Sequence, residues 1–197
     1  MIVSKAEFAG SSAKLEDRPG TRLPEFAFIG RSNVGKSSLI NCLCNKTLAH
    51  TSAQPGKTQC VNHFLINDKW YLVDLPGYGY ARMGQKGREK LSKIINDYIL
   101  GSEEMVLLFV LLDSRHDLQK IDLEFLTMLG EEGIPFSIIY TKCDKSGVNT
   151  LSQQLKKNNS GLLEYWEELP PVFESSSKDG RGRDEILSYI DSVLKTL

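Results

Sequence analysis

The sequence predicts an α/β fold built on a mostly parallel six-stranded sheet, with one antiparallel strand and helices on both faces. Three observations carry the prediction. Short apolar bursts alternate with segments of helical period along most of the chain. Two of the bursts, Val61–Ile66 and Trp70–Val73, flank the turn signal Asn67-Asp68-Lys69, which makes that pair antiparallel. At 197 residues the chain has the length of one domain with one substantial core.

The elements follow in order. Glu25–Ile29 reads as a strand ending at Gly30, and Lys36 to Asn45 as a helix. The hairpin pair comes next. Gln85–Leu100 is helical, because Leu91, Ile94, Ile95, Tyr98 and Ile99 fall on one face. Met105–Leu112 is a continuous apolar run of central-strand length, followed by a helix over Leu118–Gly130 and a strand over Pro135–Tyr140. Thr150–Lys157 and Leu162–Glu168 are expected as two helices, Val172–Glu174 as the last strand, and Arg183–Leu194 as the closing helix. Residues 1–23 carry no clear pattern and are expected as an extension packed on a single domain over 24–197. Lys46–Cys60 and Pro76–Gly84 show no regular period, and loops of that length in a compact domain are usually functional or mobile.

Composition narrows the classes without naming a function. The chain is 41% hydrophobic and 25% charged, with a formal net charge of −1. Its apolar runs are too short to span a bilayer, and the N-terminus lacks a secretion-signal pattern. Cys42, Cys44, Cys60 and Cys143 have no zinc spacing, so reduced thiols, a cytoplasmic location and no membrane partner are expected. Residues 1–100 hold 14 Lys/Arg against 8 Asp/Glu, and the remainder 10 against 17. Such asymmetry lets one face meet a polyanion, although a solvated surface with chance asymmetry gives the same count.

Gly30-Arg31-Ser32-Asn33-Val34-Gly35-Lys36-Ser37 fits the phosphate-loop pattern G-x-x-x-x-G-K-[ST] between a strand and a helix. Its glycines let the backbone curl so that successive N–H groups face a phosphate, and the following helix adds its N-terminal partial charge. Lys36 can reach β- and γ-phosphates, and the Ser37 hydroxyl can bind magnesium. Asp74-Leu75-Pro76-Gly77 follows an apolar strand; there Asp74 can hold magnesium through water and the Gly77 N–H can meet a γ-phosphate. Between them lies Pro55-Gly56-Lys57-Thr58-Gln59, in which Thr58 is the best candidate to close on magnesium and γ-phosphate, with Thr51 a weaker alternative.

Thr141-Lys142-Cys143-Asp144 selects the base. It matches the [NT]-K-x-D pattern, with Thr in a place where many GTPases have Asn. The Asp144 carboxylate can accept from the ring N–H and the exocyclic amine of guanine, a donor pair that adenine does not offer. The Lys142 stem can lie along the purine. Ser175-Ser176-Ser177-Lys178 is placed to close over the base, with a backbone N–H, best that of Ser177, reaching the guanine oxygen. Four such elements in order, each at a strand end, imply a G domain of the P-loop NTPase class that binds GTP or GDP with Mg2+. The nucleotide contacts expected are Gly30, Arg31, Ser32, Asn33, Val34, Gly35, Lys36, Ser37 and Ser38 in the phosphate loop. Gly56, Lys57, Thr58, Asp74, Gly77, Thr141, Lys142, Asp144, Ser176, Ser177 and Lys178 complete the set. Lys36, Thr58 and Gly77 would act on the transferring phosphoryl group, and Ser37, Thr58 and Asp74 would hold the metal.

The phosphate loop through Ser38, Pro55–Gln59, Asp74-Leu75-Pro76-Gly77-Tyr78-Gly79-Tyr80-Ala81, Asp113-Ser114-Arg115-His116 and Thr141–Asp144 together resemble the EngB (YihA/YsxC) family of bacterial GTPases. The resemblance covers nearly the whole chain. It implies a single G domain acting in assembly of the large ribosomal subunit and needed for normal division and septation. Arg115 and His116 match the family string without an evident chemical role.

Two mechanistic expectations accompany this. Tyr78 stands where Ras-type enzymes place a water-orienting glutamine, so slow intrinsic hydrolysis is expected. Related GTPases with Asn at the place of Asn33 use potassium beside the phosphates, which makes K+ a candidate stimulating ion; a role for Asn33 in loop shape alone is the competing account. Arg82, Lys86, Arg88, Lys90 and Lys93, with Tyr78 and Tyr80, form a candidate footprint for ribosomal RNA; a solvated helix face with buried tyrosines gives the same pattern. A constitutive RNA binder that keeps GTP structurally, and a small-molecule kinase, are the alternative classes. A monomer is expected.

Overall fold

A computed structural model describes residues 1–49, 60–79 and 84–197. Seven strands form one sheet in the order β1-β3-β4-β2-β5-β6-β7. They are β1 (Ala6–Ser12), β2 (Glu25–Gly30), β3 (Val61–Ile66), β4 (Trp70–Asp74), β5 (Met105–Asp113), β6 (Phe136–Thr141) and β7 (Val172–Glu174). Only β3 runs against its neighbours; β4, β2, β5, β6 and β7 are parallel.

The strand count corrects the expected six. The added strand is β1, in the segment that lacks an alternating pattern. Its cause is remote in sequence: Asn67, in the β3–β4 turn, accepts from the backbone N–H groups of Ser4 and Lys5 and donates to the carbonyl of Ile2. That clamp lays β1 along β3 in antiparallel register from Ala6 opposite Ile66 to Ser12 opposite Val61. The turn itself is the expected one, with Asn67 and Asp68 both at positive φ (51° and 57°) and Lys69 N–H donating to Ile66 O.

Among the described residues five α-helices cover the sheet: α1 (Lys36–Cys44), α2 (Gln85–Gly101), α3 (Lys120–Glu131), α4 (Val148–Leu162) and α5 (Arg183–Leu194). Helices α2, α3 and α4 pack on one face through Leu91, Ile95, Leu126, Leu129, Leu151 and Leu155. Helices α1 and α5 pack on the other through Leu39, Ile40, Leu43, Ile186, Leu187 and Ile190. Each such fully buried aliphatic side chain contributes about 1.5–3 kcal/mol of transfer free energy. Arg183 ties the second layer together by donating to the carbonyls of Cys42 and Leu43 at the C-terminus of α1.

The expected helix over Leu162–Glu168 does not form. Instead α4 is one element that runs through Gly161 to Leu162, and the chain then turns. Leu151, Leu155, Asn158 and Leu162 make one buried stripe, and anchoring that stripe outweighs the roughly 1 kcal/mol that an internal glycine costs. Beyond the turn, Trp166 packs on Gly130 and Phe136.

The chain leaves β2 through α1 toward β3 and β4 on one side, and leaves β4 through α2 toward β5 on the other. The reversal places the end of β2, flanked by the ends of β4 and β5, at the crevice where open α/β sheets bind ligands.

Candidate nucleotide site

The carboxyl ends of the parallel strands carry the sequence-predicted Gly30 on β2, Asp74 on β4 and Thr141 on β6, and beside them Asp113 on β5, which had no role assigned from the sequence. The phosphate loop folds as its composition requires. Asn33 and Gly35 both adopt positive φ, 63° and 104°, turning the backbone into the first turn of α1. Gly30 is fixed by space rather than by torsion, since a Cβ there would meet Leu111 O and Val34 Cγ1 at 2.9 Å. Val34 is buried beneath the loop, and Ser37 and Ser38 are half-buried in the first turn of the helix. The Ser32 hydroxyl is buried without a hydrogen-bond partner among the described residues.

Lys36 and Asp74 meet across the site as a buried ion pair. The neighbouring Ser37 hydroxyl and the Asp74 carboxylate are hard oxygen donors of the kind Mg2+ prefers. Among the described residues no group of three or more His, Cys, Asp or Glu comes together, so a cation here would need phosphate oxygens and water as well. That is how magnesium usually binds with nucleotides, and the residues present fit it. Gly77 lies buried after β4. Thr51, Gly56, Lys57 and Thr58, with Tyr80 and Arg82, fall outside the described residues.

Arg31 and Tyr78 turn away from the phosphates. Arg31 Nε pairs with Asp122 of α3 at 3.0 Å, so only its backbone remains in the loop. The Tyr78 hydroxyl donates to the same Asp122 at 2.8 Å, and its ring stacks on Phe125 with centroids 4.6 Å apart. Burial and the Asp122 carboxylate push the phenol well above its ordinary pKa. Of the two accounts left open for the tyrosines, the buried one holds for Tyr78. No sequence signal marks Asp122 as its partner, because the pairing spans 44 residues.

The base end is assembled from β6 and the loop after β7. The Thr141 hydroxyl donates to the carbonyl of Val34 at 2.6 Å, with the Leu112 carbonyl 3.2 Å away, and so pins the base motif to the phosphate loop, a use for the threonine that stands where many GTPases have asparagine. Lys142 adopts φ 61° and donates to the carbonyl of Asn33 at 2.6 Å and to Asp113 at 2.9 Å. Cys143 N–H donates to Ser175 O, and Ser175 N–H to Tyr140 O, locking the two loops edge to edge. Asp144 Oδ1 then accepts from the Ser176 hydroxyl at 2.9 Å. Its second oxygen, Oδ2, is buried with no hydrogen-bond partner among the described residues, although the Lys145 ammonium stands 3.5 Å away. Burial pushes the Asp144 carboxyl upward, but the Ser176 hydrogen bond and the Lys145 charge outweigh it and hold the pKa below the ordinary value. The carboxylate is therefore ionised, desolvated and half-used. Ser177 and Lys178 are exposed beside it. Gly182, at φ 77°, leaves no room for a side chain against the carbonyl of Glu174 and shapes the return of this loop into α5.

A family model described as "50S ribosome-binding GTPase" matches residues 25–142. The probable GTP-binding protein EngB of Porphyromonas gingivalis is 58% identical over 198 residues, spanning 100% of this chain and 98% of its own. This chain belongs to the EngB family of GTP-binding proteins. The EngB protein of Flavobacterium psychrophilum is 51% identical over 195 residues, covering 98% of this chain and 95% of its own. Among solved structures, a probable GTP-binding protein engB superposes with a TM-score of 0.69 at 23% identity, over 88% of this chain and 100% of that one. A single-residue variant of Aquifex aeolicus Era, bound to GDP and AlF4−, gives 0.68 at 20% over 90% of this chain and 57% of that one. Both likenesses are of fold. For the EngB family the P-loop G-domain architecture and GTPase class hold for this chain too.

Proposed function

We propose that this EngB-family chain is a magnesium-dependent, slowly hydrolysing GTPase whose nucleotide state gates its binding to the large ribosomal subunit during assembly, in support of division and septation. It is read as a monomeric cytoplasmic G domain whose sheet takes its edge strand β1 from residues 1–23. The observation that carries base choice is the ionised Asp144 carboxylate, whose buried Oδ2 makes no hydrogen bond among the described residues and faces only the Lys145 ammonium at 3.5 Å, which leaves it open to the donor pair of guanine. The family description as a 50S ribosome-binding GTPase supports the partner. Exposed Lys86, Arg88, Lys90 and Lys93 on α2 supply a cationic face suited to RNA.

In this reading Lys36 leaves Asp74 for the β- and γ-phosphates, while Ser37, Thr58 and Asp74 hold the cation. When bound, magnesium neutralises charge on the phosphoryl oxygens. Gly77 meets the γ-phosphate through its N–H. The slow rate follows from Tyr78, whose hydroxyl is committed to Asp122 and cannot orient a water. Asn33 makes potassium the candidate accelerator; turnover that is fast and equal in sodium and potassium would remove both the slow rate and the ion.

The switch is tested by pelleting the purified chain with large ribosomal subunits under GDP, GTP and a non-hydrolysable GTP analogue. Retention only with the triphosphates is expected. Equal retention in every state would favour a constitutive binder, and no retention would leave the partner reading without support.

A further inference from the structure

The Asp113-Ser114-Arg115-His116 string stands beside the base motif. Asp113 ends β5 directly opposite Thr141, which ends β6, and Ser114 N–H continues the pairing to Thr141 O at 3.1 Å. The two strings therefore leave the sheet side by side. Asp113 is only 8% exposed. Its Oδ2 accepts from the Lys142 ammonium at 2.9 Å, and the same ammonium donates to Asn33 O at 2.6 Å. Arg115 grips the carboxylate from the solvent side with a two-pronged contact, Nε to Oδ1 at 2.9 Å and Nη2 to Oδ2 at 2.8 Å. Its backbone N–H adds a third bond to Oδ1 at 3.1 Å. Burial alone would push the Asp113 carboxyl up, but hydrogen bonds from Arg115 and Lys142 hold it well below the usual carboxylate range.

We propose that Asp113 and Arg115 are positioning residues for purine recognition, which act by holding the Lys142 ammonium against the phosphate loop so that its methylene stem is the surface offered to the base. The stem already runs across the loop: a Cβ on Gly35 would lie 3.6 Å from Lys142 Cε. A lysine side chain free to sample its rotamers would give up that freedom on nucleotide binding. Asp113 removes the cost beforehand, and the arginine fork keeps the aspartate oriented and charged when the pocket closes to water. The inference rests on the reading of Lys142 and Asp144 as the guanine-binding pair.

The test compares Asp113→Asn, Arg115→Ala and Arg115→Lys with the parent chain. Dissociation constants are measured for GDP, ADP and inorganic tripolyphosphate, which probes the phosphate loop alone, and melting temperature reports folding. Asp113→Asn is expected to weaken GDP binding about 10-fold, the scale of one charged hydrogen bond. Arg115→Ala should weaken it about 3-fold, Arg115→Lys should recover part of that, and tripolyphosphate binding should stay unchanged throughout. Should Asp113→Asn not fold, Arg115→Ala decides the matter, because that side chain is 39% exposed. GDP affinity within twofold of the parent in the folded variants would overturn the proposal. Parallel loss of GDP and tripolyphosphate would overturn it as well, by placing the role in the phosphate loop. A parent chain that binds ADP as tightly as GDP would bring down the base reading itself, and this inference with it.

Discussion

The two ends of the sheet each hold a carboxylate, buried at one end and partly buried at the other, and they treat it in opposite ways. At the amino end of β2, Glu25 is 4% exposed and both its oxygens are engaged. Oε1 faces His63 Nε2 at 3.2 Å, while Oε2 accepts from Tyr98 at 2.6 Å and Ser102 at 3.1 Å. Arg18, from the segment before β2, adds its charge at 3.7 Å and pairs with Glu104 at 3.0 Å. At the carboxyl end, Asp144 has one oxygen held by Ser176, while the other makes no close hydrogen bond among the described residues and faces the Lys145 ammonium at 3.5 Å. A satisfied buried charge joins β2, β3, α2 and the amino-terminal segment. A half-satisfied one is poised for a ligand, because its desolvation is offset only when donors arrive. On the proposed reading, the same chemical group serves cohesion at one end and recognition at the other.

The sharpest break of that contrast is Asp144→Ala. Two charge-assisted hydrogen bonds to guanine would be lost, so GDP affinity should fall by about 1,000-fold in a binding titration. Stability without nucleotide should change by no more than about 1 kcal/mol, the worth of the Ser176 bond. A drop in GDP affinity smaller than tenfold would sink the assignment of Asp144 to the base.

Glu25→Ala should do the reverse. Removing the carboxylate leaves Tyr98, Ser102 and Arg18 facing a void, and denaturant unfolding should show a loss of about 3 kcal/mol. GDP affinity of the folded protein should stay within twofold. The same site predicts an acid limb. Burial pushes the Glu25 carboxyl up, yet the His63 and Tyr98 hydrogen bonds outweigh it and hold its pKa below the ordinary 4.5. Because the folded value is lowered, this stabilisation is fully present above about 4.5 and disappears as pH falls through the folded value. Glu25→Gln should flatten that limb below about pH 4.5 in stability measurements. A limb as steep as that of the parent would show that other carboxylates set it.

The smallest effect is expected from Tyr78→Phe. It deletes the bond to Asp122 while keeping the stack on Phe125, so about 1 kcal/mol of stability should be lost and hydrolysis should not change. A changed hydrolysis rate would return Tyr78 to the catalytic site.

Much of this was legible in the residues because the causes are local. The phosphate loop declares itself by glycine spacing between a strand and a helix. The α2 stripe Leu91, Ile94, Ile95, Tyr98 and Ile99 is buried as its period requires. The elements that were misread have remote causes. Strand β1 exists because Asn67 reaches back to Ile2, Ser4 and Lys5, and α4 crosses Gly161 because Leu162 has a place to bury. For Tyr78 the sequence left an exposed and a buried account open, and only Asp122 and Phe125 beneath it decide for the buried one.

By itself the sequence determined the order of the elements, the single reversed strand and the residue types at each strand end, since each depends on periodicity or on turn chemistry within a few positions. Only the tertiary structure decided which of those residues share a partner. Lys142 meets Asn33 across 109 positions, Thr141 meets Val34 across 107, and Glu25 meets Tyr98 across 73. Such contacts form where strand order brings chain ends together, and no local pattern encodes them.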